Sequence, residues 1–432
     1  MSDAVGIAPR ATASWPLALL SGALLFGDYL SLTVSNVLTG TSGNWIAVSA
    51  VLQPLIVLVA LVTRQIRRRL SVVLALAWFG LCAVALGHAV PVWLNGDSLT
   101  EYSQQKLLAL LLLAGPALVA GHVLGAQPRL PGARTMPWLM APLIALCGAA
   151  VATDPRLLTI EFYATPPVFL GFLVLPTHQP LAFTLTKAAL LAFAADPGTA
   201  RSRLVGALRL GAVGALTGLV LLTGARSYTI GFVASLAAVA LLSGRRVGIL
   251  LLGGTIAVAL FQLYAGDTVQ ERLDPTQMLQ SLAFHERELA WAAAWQGFVD
   301  HPLFGVGIGC FGQLGGWTGR VYPHNLPLEI AVELGAFGVA CFVLLLGGPL
   351  VGLLQALGRR TRLDAMAQFA IGLLVFTLLG SLAVGDLIRN HALFFAIGLA
   401  TAALRRTPEP AASGELAAPA VPLPLAPAGA TT

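Results

Sequence analysis

Two arginines of this 432-residue chain lie where a guanidinium group could bind phosphate. Arg226 lies at the predicted start of an apolar helix, where unpaired backbone amides and the helix dipole also attract an anion. Arg287 precedes Trp291 by four residues on a predicted helical stripe of aromatic side chains, so its charge should lie on the apolar side. The alternatives are that Arg226 anchors to lipid headgroups and that Arg287 makes a structural salt bridge.

A histidine follows where a long polar segment gives way to an apolar run. Because an imidazole with a pKa of about 6.5 can accept a proton at neutral pH, His324 is a candidate catalytic residue. Tyr322 and Asn325 beside it are candidate substrate-binding residues. Glu329 follows inside the apolar run, where ionisable side chains usually have a function. The alternative is a histidine that only caps a helix.

Two further cations are candidates for substrate binding. Arg389 lies in a short polar segment near Asp386, where it could instead form a simple ion pair. Lys187 lies in an apolar run and could neutralise a lipid phosphate or pair with Asp28. Both residues are therefore included among the predicted substrate-binding residues.

Other motifs in the polar segment do not indicate a cofactor. His285 and Glu286 begin a zinc-protease pattern, but Leu289 occupies the position of its second histidine. Residues 307–312 fit G-x-G-x-x-G without the strand, turn and helix that a dinucleotide site requires. The four cysteines are scattered and suggest neither a disulfide framework nor a metal cluster. We expect no cofactor and no bound metal.

Composition determines which elements must position these residues. The chain is 57% apolar and only 10% charged, with a mean hydropathy of +0.83, which excludes a soluble protein. At roughly 20 residues per crossing, its apolar runs predict an all-α membrane protein with about 12 transmembrane helices. The predicted runs lie at about 15–34, 46–63, 71–90, 107–126, 137–153, 180–196, 209–223, 227–243, 247–265, 325–350, 365–383 and 391–404. Its net charge of +6 follows from the membrane topology and does not indicate nucleic acid binding.

The distribution of arginine predicts the orientation in the membrane. Six short arginine-rich segments alternate with the predicted crossings so that all six, and both termini, lie on the cytoplasmic side. Residues 1–406 form one predicted transmembrane domain, with the long loop 266–324 on the outer face, followed by a disordered cytoplasmic tail at 407–432. Residues 154–180 are predicted as an outer loop, with a thirteenth helix as the alternative.

Three pieces of sequence, taken in order, resemble the O-antigen ligase superfamily. They are Arg226 between two apolar runs, Arg287 leading into the segment 301–311, and the segment 324–338 that begins with His324. The superfamily also includes O-antigen polymerases and protein O-oligosaccharyltransferases. The resemblance covers about residues 220–340 strongly and the rest of the chain only through its number of helices.

The resemblance implies a polytopic glycosyltransferase of the GT-C type without a bound metal, whose donor is a glycan on undecaprenyl pyrophosphate. It implies that Arg226 and Arg287 hold the pyrophosphate and that His324 is the essential loop histidine. We therefore predict an O-antigen ligase of a bacterial inner membrane that transfers polysaccharide to a lipid A-core sugar on the periplasmic side. The alternatives are an O-antigen polymerase with the same donor and, outside the enzymes, a membrane transporter or lipid flippase.

Overall fold

The computed structural model of the protein covers most of the predicted helices. It describes residues 48–62, 71–127, 168–169, 173–174, 178–194, 203–222, 225–243, 254, 282–314, 321–358, 363–383, 386–388 and 390–406. Two predicted crossings, at 15–34 and 137–153, lie outside these residues, as does all but residue 254 of the predicted crossing at 247–265. The predicted tail at 407–432 also lies outside them.

The described chain is helical apart from one short hairpin, which agrees with the predicted helical fold. Its helices are α1 (Val48–Val62), α2 (Val72–Leu94), α3 (Glu101–Gly125), α4 (His178–Ala194), α5 (Arg203–Leu222), α6 (Arg226–Ser243), α7 (Leu282–Asp300), α8 (Leu326–Gly358), α9 (Ala365–Ser381) and α10 (His391–Leu404). Strands β1 (Val168–Phe169) and β2 (Leu173–Val174) pair antiparallel. These strands lie within the predicted outer loop at 154–180, whose last three residues, 178–180, belong to α4.

Three of the described helices, α2, α3 and α8, are long and apolar enough to cross a membrane. The described parts of α4, α5, α6, α9 and α10 include shorter apolar helices of 10–17 residues. With the composition of the whole chain, these helices identify an integral membrane protein. The number of about twelve crossings stays a prediction.

Helices α3 and α10 pack with their backbones in contact. A Cβ atom added at Gly121 would lie 2.0 Å from the carbonyl oxygen of Phe395, and one added at Gly398 would lie 2.0 Å from that of Leu118. A Cβ atom added at Gly125 would likewise lie 2.2 Å from the carbonyl oxygen of Leu399. Small residues four apart allow membrane helices to approach this closely. The contact fixes α3 against α10 at the centre of the described fold.

Helix α8 is broken at Gly335, where φ is 65° and ψ is −164°, a conformation that is essentially restricted to glycine. The backbone of segment 302–307 pairs with the backbone of α8 at this break. Four hydrogen bonds join the segment to the helix: Ala336 N to Pro302 O at 2.8 Å, Phe337 N to Leu303 O at 3.3 Å, Val306 N to Val332 O at 2.8 Å, and Gly307 N to Glu333 O at 3.1 Å.

These bonds replace the two helical hydrogen bonds that the break removes from α8. Irregular backbone in a membrane protein is tolerated where other protein groups satisfy it, and segment 302–307 provides those groups. The approach requires Gly305, whose φ is +80° and whose added Cβ would lie 2.4 Å from the Glu333 carbonyl carbon. The break thus attaches the end of the long polar loop to a membrane-spanning helix.

Candidate functional site

The fully buried face of helix α7 consists of small residues. Ala290 and Ala294 are fully buried, and a Cβ atom added at Gly297 would lie 2.9 Å from a methyl group of Val332. The predicted apolar stripe of Phe284, Trp291, Trp295 and Phe298 is therefore not the buried face, since Trp295 is 57% exposed. Close helix packing favours small side chains here. Arg287 is half-buried, and helical spacing places it on the Ala290 and Ala294 face.

The side chain of Trp291 joins α7 to the turn that carries the candidate histidine. The indole Nε1 of Trp291 donates a hydrogen bond to the Pro323 carbonyl at 2.9 Å. Arg287 lies one helical turn before Trp291, and His324 directly follows Pro323. The helix that carries the candidate arginine is thereby docked against the candidate histidine's own turn.

His324 is the single non-glycine residue with a positive φ among the described residues, at 56°. Its ring is half-buried and lies 4.3 Å from the Tyr322 ring, centroid to centroid. Asn325 caps α8, because its Oδ1 accepts the Leu328 amide at 3.2 Å. A backbone held in this sparsely populated region costs about 1–3 kcal/mol, and such residues cluster at functional sites. The cap on α8 thus comes from Asn325, so capping does not account for His324.

A buried lysine that the sequence analysis did not single out lies under this turn. Lys106 of α3 is fully buried, and its Nζ lies 2.7 Å from Glu329 Oε1 and 2.6 Å from Glu333 Oε1. Both glutamates belong to α8 and are 1% and 2% exposed. Glu333 Oε2 also accepts the Gly309 amide at 2.9 Å. Buried charges are costly unless they are paired in this way.

Tyr102 links this buried group to the histidine turn. Its hydroxyl donates to Asp386 Oδ2 at 2.6 Å, and its ring lies 4.8 Å from Lys106 Nζ. The same ring stacks on that of Tyr322 at a centroid distance of 6.5 Å, and Tyr322 in turn contacts His324. Ring contacts from Tyr102 to Tyr322 and from Tyr322 to His324 therefore connect α3 to the candidate histidine.

The model of the O-antigen ligase family matches residues 211–343. The predicted resemblance to this family is confirmed over the matched residues. Members of the family are enzymes of the glycosyltransferase type, which supports the predicted enzyme class. No curated protein matches the chain.

Only some of the residues of the candidate site lie inside the matched range 211–343. Arg226, Arg287 and His324 lie inside the matched range, together with both buried glutamates. Lys106 of α3 and Asp386 of the turn before α10 lie outside it. The polar cluster is thus completed by residues that flank the matched range in sequence.

The remaining predicted site residues are not placed beside His324. Arg226 is the first residue of α6, but its side chain lies outside the described structure, as do the whole of Arg389 and Asp28. Lys187 is buried within α4, where its Nζ lies 4.6 Å from the Phe183 ring. That ring also contacts Tyr228 of α6, so Lys187 lies in an aromatic cluster near the start of the helix that carries Arg226.

Proposed function

We propose that this protein is an O-antigen ligase. It transfers a glycan from undecaprenyl pyrophosphate to a sugar hydroxyl of lipid A-core at the periplasmic face of the bacterial inner membrane. The observation that carries the proposal is the hydrogen bond from Trp291 to the Pro323 carbonyl. It docks the Arg287 helix against the His324 turn, so a cation for the leaving group and a base for the acceptor come from neighbouring elements.

The reaction follows from these two groups. The acceptor oxygen forms a bond to the anomeric carbon while the bond from that carbon to the pyrophosphate oxygen breaks, and the electron pair leaves with the pyrophosphate. Arg226 and Arg287 stabilise the developing negative charge, an effect worth several kcal/mol in a site that excludes water. His324 accepts the hydroxyl proton, which contributes about 10²- to 10⁴-fold in rate. A single displacement of this kind inverts the anomeric centre.

The remaining predicted residues and topology complete the proposal. Tyr322, Asn325, Arg389 and Lys187 bind substrate around this centre. We propose a GT-C-type membrane domain over residues 1–406 with about twelve crossings and both termini in the cytoplasm. The half-buried rings of Tyr322 and His324 support an acceptor site at the membrane boundary, because they follow directly on the long polar segment that precedes α8.

Transfer between purified substrates tests the proposal. We expect wild-type protein to move glycan from its lipid pyrophosphate carrier to lipid A-core, with or without a chelator. The variants Arg287→Ala and His324→Ala should each lose about 10²-fold or more in kcat. His285→Ala is the matched control, because His285 is 66% exposed on α7 and its ion pair, at 3.6 Å, is with the exposed Glu288.

Three results would contradict parts of this assignment. Wild-type protein that transfers no glycan to any acceptor would refute the glycosyltransferase proposal. Growth of the glycan on its carrier without lipid A-core would instead identify an O-antigen polymerase, which the family match supports equally well. An unchanged kcat in His324→Ala, measured beside unchanged His285→Ala, would exclude His324 as the base.

A further inference from the structure

Five buried or half-buried polar side chains form one connected group, the Lys106 cluster, consisting of Tyr102, Lys106, Glu329, Glu333 and Asp386. The cluster ties together four separate parts of the chain. They are the start of α3, the loop at Gly309, the start of α8, and the turn that precedes α10. Nothing in the proposed chemistry uses this cluster, although its Tyr102 ring contacts Tyr322, which in turn contacts His324.

We propose that Lys106 is a positioning residue for His324. Its charge balances those of Glu329 and Glu333, so that their carboxylates can bind the Gly309 loop and the turn that precedes α10. Tyr102 then couples the position of this cluster to that of the His324 turn. The inference rests on the proposed function only in taking glycosyl transfer as the reaction that His324 serves.

Burial separates Lys106 from any substrate. Its side chain has no exposed surface, and its ammonium group already contacts two carboxylate oxygens at 2.7 and 2.6 Å. A phosphate could reach it only by displacing one of these carboxylates into a buried position without its partner, which is strongly unfavourable. Lys106 therefore acts through its neighbours.

Each of the two carboxylates also accepts a hydrogen bond from a backbone amide. Glu333 Oε2 accepts the Gly309 amide at 2.9 Å, and Glu329 Oε1 accepts the Leu387 amide at 3.1 Å. Without the ammonium group, two negative charges would share one buried site and repel each other. The carboxylates would then move apart or take up water or protons, and the hold on both amides would be lost.

Tyr102 connects this electrostatic balance to the site. Its hydroxyl is fixed by Asp386, while its ring contacts both the Lys106 ammonium and the Tyr322 ring. Tyr322 lies against His324, whose positive φ must be maintained by its surroundings. A small displacement passed along these rings would misplace the imidazole, and misplacement of about 1 Å can reduce a rate about 10²-fold.

Four variants of the full-length protein in detergent test the inference. Lys106→Met removes the charge, and the triple variant Lys106→Met, Glu329→Gln, Glu333→Gln removes all three charges while keeping oxygen acceptors for both amides. Tyr102→Phe removes only the hydrogen bond to Asp386. Gln105→Ala is the control, because Gln105 directly precedes Lys106 and its exposed side chain donates a hydrogen bond to the exposed Glu101.

Hydrogen exchange and kinetics are measured on each variant. In Lys106→Met we expect faster exchange in peptides that contain Gly309 and Leu387, with kcat reduced about 10- to 100-fold. The triple variant should recover slow exchange and most of the lost kcat. Tyr102→Phe should keep slow exchange and the wild-type KM for donor while its kcat falls, and Gln105→Ala should behave as the wild type in every measurement.

Several outcomes would overturn the inference. One is unchanged exchange in Lys106→Met. Another is a triple variant with slow exchange whose kcat stays at the Lys106→Met level, which would mean that the ammonium group acts on substrate directly. If Lys106→Met fails to fold, the triple variant and Tyr102→Phe still decide the question. Failure of the proposed function is distinguishable, because it would appear as absent transfer in the wild type, whereas the exchange measurements do not depend on transfer.

Discussion

The first nine residues of α3, Glu101–Ala109, and its last eleven, Gly115–Gly125, are buried by different means. At the first end, Ser103 and Lys106 are buried polar side chains, and partners on α8 satisfy the lysine. At the second end, glycines bring the backbone of α3 against that of α10. A π-helical turn at Leu110–Ala114 separates the two ends.

The difference between the two ends of α3 indicates how each responds to change. Contact between glycine backbones depends on shape alone, so every added atom that does not fit destabilises it. A buried charge network depends on complete pairing, so one missing partner destabilises the others. Because π-helical turns are frequent at functional sites, the turn between the ends is consistent with a change from structural packing to site support.

The largest expected effect is at the apolar end of α3. In Gly121→Leu the new side chain would begin 2.0 Å from the Phe395 carbonyl oxygen and would force α3 away from α10. We expect a loss of about 3 kcal/mol or more in the free energy of unfolding, seen as a lower Tm in detergent or as absence of folded protein. Gly87→Ala on α2 is the control, since nothing lies within 4 Å of its added Cβ. Equal Tm values for Gly121→Leu and the wild type would refute the close contact.

A smaller effect is expected where the loop meets the polar end of α3. Gly309 has a φ of +72°, and its added Cβ would lie 2.6 Å from Ser103 Cα. Gly309→Ala should therefore cost about 2 kcal/mol through strain and also weaken the bond to Glu333. We expect a moderate decrease in Tm with a larger decrease in kcat. In Gly312→Ala the added Cβ would lie 3.2 Å from Val321 Cα, so this variant should lower Tm and kcat less than Gly309→Ala does.

The smallest effect concerns a thiol that reports on the same contact. Burial raises the pKa of Cys310 above its ordinary value, because desolvation disfavours the thiolate, although a hydrogen bond with Ser103 opposes this shift. Less thiolate is then present at neutral pH, so alkylation of Cys310 should be slow and should accelerate as the pH rises above the ordinary cysteine range. Mass spectrometry of the Cys310 peptide measures this. Labelling as fast as a free cysteine in the wild type would contradict the buried contact, while Gly309→Ala should label faster.

The positions of the helices could be predicted from the sequence because hydrophobic runs in a membrane protein leave little choice of structure. The run at 391–404 matches α10 at both ends, and that at 227–243 matches α6 to within one residue. The buried lysine could not be found in this way. Lys106 directly precedes the predicted run at 107–126, and its partners lie 223 and 227 positions further along the chain (329 − 106 and 333 − 106).

The glycines of the loop show a second limit of sequence reasoning. The motif at residues 307–312 does not fit a dinucleotide site, and its spacing alone indicates no other function. In the structure, Gly305, Gly307 and Gly309 all have positive φ values and lie close to α8, α2 and α3 respectively. Aromatic spacing on α7 was misleading for a related reason, since contact with α8 selects small side chains. Both features depend on which backbone lies opposite, and that information is not local in sequence.

The break in α8 has a consequence for folding. If α8 kept its break without segment 302–307, the carbonyls of Val332 and Glu333 and the amides of Ala336 and Phe337 would be left without partners. A continuous helix would instead pair these four groups with one another. The broken form of α8 and the docked segment 302–307 therefore depend on each other and should be gained or lost together.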